Sequence, residues 1–371
     1  MKGKHLVIVN QSSGYLTYDI AEAYKNKGYN VTLITASSEC DIKGVCTEKI
    51  VKYTRSSSVM RVVTWMLATI QIFFKILLKY RSSELLIISN PPTAPLLPIL
   101  LPNCYSLLIF DIYPDVLINQ EFIGENNPIA IIWRKINCHV FRKAKKIFTI
   151  SEGMRNCLIK YAHGRIIRVN HLWSNKSLAY VDFESNLFIK AYHLEKKFII
   201  MYSGNLGNTH PLEILVDLAK EIDDREIQFI IIGEGEKKKI IAEKIQKYHC
   251  ENVMLLPYQS SEMLSHSLSS IDIAVVTLDS RSSLMSVPSK TYNLIKIGRP
   301  IMCIAKSNSE LSDIIKKYRI GEIFNQEELI EMKEFILKLK GDKNIWNFYH
   351  RNSLDSSRLF THKNAYLFVD E

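Results

Sequence analysis

The sequence offers little sign of three kinds of feature: C-x-x-C cysteine pairs, a signal peptide and a nucleic-acid-binding module. Its seven cysteines, at positions 40, 46, 104, 138, 157, 250 and 303, form no C-x-x-C pair and no Cys/His group at zinc spacing. That excludes a zinc-ribbon or zinc-finger core and fits free thiols in a reducing cytosol. Met1-Lys-Gly-Lys-His5 precedes only a short apolar run, which Asn10 and Gln11 interrupt, so the start reads as a strand rather than a signal peptide. In the apolar stretch 59–79 the longest uncharged run, 62–74, falls well short of the ~20 residues a bilayer span needs. No recognisable nucleic-acid module accompanies the basic charge.

What is present is a globular composition, 47% apolar with mean hydropathy near zero, in a chain long enough for two cores. The net charge of +10 is unevenly divided. Residues 1–180 hold 23 Lys and Arg against 11 Asp and Glu, whereas residues 181–371 hold 25 against 27. The basic surface therefore belongs to the first half. Such a half can serve nucleic acid, an anionic membrane or phosphorylated substrates, and charge alone does not choose among them.

The second half is organised around residues 286–301. The apolar run 271–278 reads as a buried parallel strand, a polar loop follows, and Pro288 and Ser289 announce a short helix that Gly298 ends. Ser289 is expected to cap it through its hydroxyl. Residues 299–305 form the next strand, so Lys290 falls in the first helical turn, above the carboxyl edge of the sheet, where open α/β sheets bind ligands. A helix N-terminus with a lysine beside it suits a phosphate or diphosphate.

In chain order, residues 5–9 read as a strand, 18–27 as a helix and 30–35 as a second strand, a βαβ opening whose polar turn contains Ser13 and Gly14. Drawn as a helix, residues 59–79 carry one narrow stripe of Arg61, Thr64, Ala68, Gln71, Lys75 and Lys79 on an otherwise apolar cylinder. Burial is the preferred reading, because the strand at 85–89 needs a covering helix, and lipid contact is the alternative. Different faces can satisfy both. After the strand at 105–110, Asp111 stands at a carboxyl end, and Asp115 reads as a cap or turn residue. Residues 133–146 make a strongly basic helix, 146–150 a strand, Ser151 caps another helix, and 166–170 is the last strand of this half. Residues 174–197 lose periodicity, as a linker does. The strand at 198–203 then turns at Gly204-Asn205-Leu206-Gly207, with His210 before Pro211 and a helix over 212–222. The strand at 227–232 ends in Gly233-Glu234-Gly235-Glu236, and 252–256 leads to Pro257-Tyr258.

Pro288-Ser289-Lys290-x-Tyr292 followed by Gly298-Arg299-Pro300, with Tyr202-Ser-Gly-Asn-Leu-Gly207 upstream, resembles family 4 glycosyltransferases of the GT-B fold, especially bacterial enzymes that build surface polysaccharides such as O-antigen and capsule. The resemblance runs over nearly the whole chain and is more specific in the second half. It implies two Rossmann-like, doubly wound α/β domains facing a cleft: an acceptor domain at 1–180, a nucleotide-sugar domain at 196–352, and a closing helix at 353–371 that crosses back. It implies donor contacts at Gly204, Asn205, Gly207, His210, Gly233, Gly235, Glu236, Tyr258, Ser289, Lys290 and Asn293, with Ser13 and Gly14 on the acceptor side. Asp111 and Lys290 are the expected catalytic pair. Many relatives carry an Arg and a Lys near the glycine loop, where this chain offers Asn208 and His210, so Lys290 would bear more of the donor's charge. Many also have two glutamates eight positions apart, which fall here on Met285 and Asn293.

The expected activity is retaining, hexosyltransferase-like transfer from a nucleotide-diphosphate sugar to a lipid-linked saccharide. No metal or cofactor is expected. The expected location is cytoplasmic, with the protein peripherally attached at the inner face of the cell membrane, its basic first half on the anionic membrane surface. The alternatives are a nucleotide-sugar epimerase of the same fold and a membrane-associated, non-catalytic assembly partner. Nucleic acid is not an expected partner.

Overall fold

A computed structural model describes residues 4–37, 42–54, 57–208, 210–278 and 287–369. Met285, Thr209 and the loop 279–286 lie outside the described residues. The chain divides into two compact units, Met1–Leu172 with His362–Glu371, and Trp173–Thr361.

The first unit runs β1 (His5–Val9), α1 (Tyr15–Asn26), β2 (Asn30–Thr35), β3 (Val45–Lys49), α2 (Ser58–Lys79), β4 (Glu84–Ile88), β5 (Tyr105–Ile109), α3 (Asp115–Asn119), α4 (Pro128–Lys143), β6 (Ile147–Thr149), α5 (Glu152–Ala162) and β7 (Ile167–Val169). Its seven strands pair in parallel in the order β3-β2-β1-β4-β5-β6-β7. The central strands are buried on both faces, hence their near-continuous Val, Ile and Leu. The sequence reading passes over β3, an edge strand whose Val-Cys-Thr-Glu-Lys has no apolar signal. Ser151 caps α5 as expected, accepting from the Met154 N–H at 3.1 Å. The basic helix starts earlier than its charge run, at Pro128, with Asn127 as its cap.

Helix α2 corrects the expectation of burial. Among its described side chains only Thr64, Ala68, Ile72 and Ile76 are buried, so the small and polar stripe faces the protein and most of the apolar cylinder faces out. The inward side is fixed by polar contacts. Gln11 Nε2 donates to the Thr64 carbonyl at 3.1 Å, the Val51 N–H donates to Gln71 Oε1 at 2.7 Å, and both Lys75 and Lys79 pair with Glu48 of β3.

The second unit contains α6 (Leu187–Tyr192), β8 (Phe198–Ser203), α7 (Glu213–Glu221), β9 (Ile227–Ile232), α8 (Lys238–Tyr248), β10 (Val253–Leu256), α9 (Met263–Ser269), β11 (Ile273–Thr277), α10 (Lys290–Ile297), β12 (Ile301–Ile304), α11 (Glu310–Tyr318), β13 (Gly321–Phe324), α12 (Leu329–Gly341) and α13 (Lys343–Ser357). Its six strands are parallel in the order β10-β9-β8-β11-β12-β13. Leu215 and Leu218 of α7 and Phe335 and Ile336 of α12 share its core with Ile231 and Met302.

Two expectations are corrected at the edges of this unit. Residues 174–197 are no bare linker: Asn186 caps α6, accepting from Phe188 and Ile189, and its Nδ2 donates to the His266 carbonyl at 2.9 Å. A six-residue helix is too short to show a period in sequence. The closing helix expected over 353–371 is instead the end of α13, which stops at Ser357, and a 3₁₀ turn, His362–Phe368, follows. That turn packs on the first unit, where Tyr24 Oη donates to the Phe368 carbonyl at 2.7 Å and Asn170 Nδ2 to that of Leu367 at 3.2 Å.

Candidate active site

Strand order in the second unit reverses at β8, with β9 on one side and β11 on the other, and ligands in open α/β sheets sit outside the strand ends at such a point. Gly204 follows β8 and Gly233 follows β9, with φ of +157° and +153°, while Gly235 has +154°. This region is open essentially to glycine. A Cβ on Gly233 would lie 1.9 Å from the Gly204 carbonyl oxygen, and one on Gly235 would lie 2.5 Å from that of Leu206. The two loops therefore lie backbone against backbone. Gly204 N–H donates to Ile232 O, Leu206 N–H to Glu234 O and Lys237 N–H to Leu206 O, each at 2.9 Å.

Lys290 opens α10 and reaches the same place. Its Nζ lies 3.4 Å from the centroid of the Tyr202 ring and 3.2 Å from where a Cβ on Gly204 would stand. Part of its stem meets solvent, but the ammonium nitrogen is buried, and among the described residues nothing accepts a hydrogen bond from it. Burial pushes that ammonium well below the ordinary lysine range. Among the described residues this cation is supported by an aromatic face alone, without an anion that would offset its desolvation.

Ser289 departs from its expected capping role. Its backbone is already helical, at φ −58° and ψ −26°, and its hydroxyl makes no capping bond. The first turn is closed instead by Thr291 N–H on Pro288 O and Tyr292 N–H on Ser289 O. Exposed Ser289 thus leaves backbone, not its side chain, to organise the helix start.

His210 packs its ring 5.9 Å from that of Tyr202. Its Nδ1 is 2.9 Å from the Thr277 carbonyl at the end of β11, and because a carbonyl only accepts, Nδ1 carries the proton. Asn208 donates to Glu236, which joins the glycine loops again beyond Gly207. Asn205 offers its carbonyl to Tyr202 Oη at 2.7 Å. Tyr258 stands beyond β10 with its side chain exposed. Asn293, one turn along α10, accepts the Asn175 N–H at 2.9 Å, so its carbonyl oxygen is committed to the protein. Gly204, His210 and Lys290 are thus gathered around Tyr202, with Gly233 against Gly204 and Gly235 against Leu206. The sequence reading quotes Tyr202 at the head of the glycine-loop motif but passes over it as a site residue, because it is also the end of an apolar strand.

In the first unit, Ser13 and Gly14 form the turn after β1. The Ser13 hydroxyl donates to Asn10 O at 3.2 Å, and its carbonyl accepts from Ser37 Oγ at 2.8 Å. Gly14 has an ordinary extended backbone at φ −129°. Asp111 follows β5, where its N–H donates to Ser89 Oγ at 3.1 Å. Its side chain meets solvent at a small recess that Tyr113, Trp133 and Asn137 also line; protein around that recess raises its carboxyl above the usual range. Asp115 does not act as a side-chain cap but is a buried partner of Lys160 at 2.8 Å and of Tyr161 Oη at 3.0 Å.

The segment holding this glycine and lysine arrangement also matches a known family. Residues 184–354 match Glycosyl transferases group 1. Over 231 residues the chain is 21% identical to a probable glycosyltransferase, WbjE, of Pseudomonas aeruginosa, covering 62% of this chain and 58% of that protein. It is 27% identical over 124 residues to the putative colanic acid biosynthesis glycosyl transferase WcaI of Escherichia coli (strain K12), covering 33% of this chain and 30% of that one. The matches thus span less than two thirds of either relative's length. HepE of Anabaena, solved in complex with UDP and glucose, superposes with a TM-score of 0.71 at 12% identity, covering 99% of this chain and 98% of its own. The fold is therefore that of GT-B structures, with two Rossmann-like units, each built on a parallel sheet.

Proposed function

We propose that this protein is a glycosyltransferase that moves a hexose-like sugar from a nucleotide-diphosphate sugar to a lipid-linked saccharide in surface polysaccharide synthesis. Transfer retains anomeric configuration and uses no metal, and it takes place at the inner face of the cell membrane. The observation that carries the reading is the buried Lys290 ammonium beside the Gly204 and Gly233 loops at the strand-order reversal, a place where a diphosphate would offset its desolvation. The family match of residues 184–354 supports it, as does the UDP bound by HepE. The colanic acid role in the name of WcaI supports the polysaccharide setting. Asp111 serves the acceptor side in this reading, and Lys290 stabilises the departing nucleotide electrostatically.

The test is calorimetric titration of nucleoside diphosphates and their sugars, followed by product analysis with and without a lipid-linked acceptor. Charge-assisted hydrogen bonds contribute roughly 1.5–3 kcal/mol, so Lys290→Ala should weaken diphosphate binding by about one to two orders of magnitude. A nucleoside without phosphates should bind as before. Asp111→Asn should lower turnover with little change in donor affinity. Epimerised donor without acceptor would assign the protein to the epimerases, and binding without turnover to the non-catalytic partners. No nucleotide binding at all would overturn the reading.

A further inference from the structure

We propose that the first unit rests on a lipid monolayer through the outward face of α2, with the helix axis lying in the membrane plane. Val62, Met66, Ile70, Phe74 and Leu78 recur at four-residue steps and are 48–77% exposed, while Ala68, Ile72 and Ile76 behind them are fully buried. A helix facing water shows the reverse polarity, with charge outward. Here Lys75 and Lys79 are drawn inward to Glu48, and the solvent side is left aliphatic.

The neighbouring elements extend this face. The 3₁₀ turn Ala94–Ile99 packs against both α2 and α4; Ile99 and Leu100 at its end and Ile129 and Ile132 of α4 are exposed. A run of rings, Tyr53 on Trp65, Trp65 on Tyr113 and Tyr113 on Trp133, ties α2 to α4 at centroid distances of 5.9, 6.1 and 6.0 Å. Aromatic side chains of this kind suit the boundary between water and hydrocarbon. Neither α2 nor α4 contains an acidic residue, while together they carry Arg61, Lys75, Lys79, Arg134, Lys135, Arg142 and Lys143. Lys75 and Lys79 are paired with Glu48 and Arg134 with Asp115, but Lys135, Arg142 and Lys143 are exposed, and aliphatic surface beside such cations matches an anionic lipid interface. A second copy fits worse, because a two-fold interface would bring these same cations together. The segment Val59–Lys79 has the length and hydropathy of a membrane span. Its buried face and its bonds to Glu48, Val51 and Gln11 instead keep it on the domain, so it lies along the membrane rather than across it.

The inference deepens the membrane partner of the reading above and rests on it, but vesicle binding and donor binding are separate measurements, and either can fail alone. The full chain is to be floated with vesicles of phosphatidylcholine containing a minority of phosphatidylglycerol. In about 1 M salt, where the Debye length is about 3 Å, a substantial fraction should stay bound. A variant with Val62, Met66, Ile70 and Phe74 all replaced by serine should bind about a hundred-fold more weakly. Its circular dichroism should match wild type, since each of the four is about half exposed and the buried Thr64, Ala68, Ile72 and Ile76 are untouched. Complete release of wild type by salt would make the contact purely electrostatic and overturn the proposal. Equal binding by the variant would do the same, and so would lipid-free self-association of the wild type that the variant abolishes.

Discussion

Lys290 shows how a residue's place and its state come from different parts of the chain. Its position, two residues past Pro288 at the start of a short helix, is legible in sequence; its burial over Tyr202 is not, because that contact joins two distant segments. The state has a measurable consequence. Burial holds the free ammonium below its ordinary range, so a bound diphosphate, by favouring the charged form, should draw a proton onto it. Titrating UDP in two buffers of different ionisation enthalpy should show proton uptake. Affinity should weaken as pH rises through the depressed pKa of the free protein. Lys290→Met should show neither effect, and unchanged uptake in that variant would assign the proton to another group.

Among the elements, strands were the most legible, since a parallel strand buried on both faces must be apolar throughout. The polar edge strand β3 and the six-residue α6 were not, and the orientation of α2 depended on Glu48, which belongs to that unrecognised strand. The glycine loops act as one element. Gly233→Ala places a methyl against the Gly204 carbonyl and should cost about 2 kcal/mol or more in chemical denaturation. Gly14→Ala, whose new Cβ would meet nothing within 4 Å, should change stability by less than about 0.5 kcal/mol. Asp272 joins β8 to β11, accepting the Ile199 N–H at 2.7 Å, and burial raises its carboxyl to about 6. The folded state therefore holds a proton that the unfolded chain, with a carboxyl near 3.9, releases earlier. Stability from this group is greatest below about pH 4 and falls as pH rises to about 6, by about 2 kcal/mol. Asp272→Asn should remove that slope from melting curves measured across the window; an unaltered slope would clear Asp272 of the effect.

At the scale of the molecule, the division into two units and the basic character of the first half were legible from length and charge. The return of the chain to the first unit at residues 362–371 was anticipated only as a crossing helix. Phe368 is fully buried there, its ring 5.2 Å from that of Phe148. Phe368→Ala should cost about 3–5 kcal/mol, and hydrogen exchange should show the loss in β1 and β6 while β8 and β11 keep their protection. Equal loss in both units would mean that they unfold as one. The same return bears on the order of synthesis. Residues 173–361 leave the ribosome before residues 362–371, so the second unit is complete while the first, although begun earlier, still lacks its last packed segment. Domains usually fold in the order they are made; here the N-terminal sheet cannot complete its packing before the C-terminal turn is made, and helix α2, with its exposed apolar face, sits meanwhile on an unfinished unit.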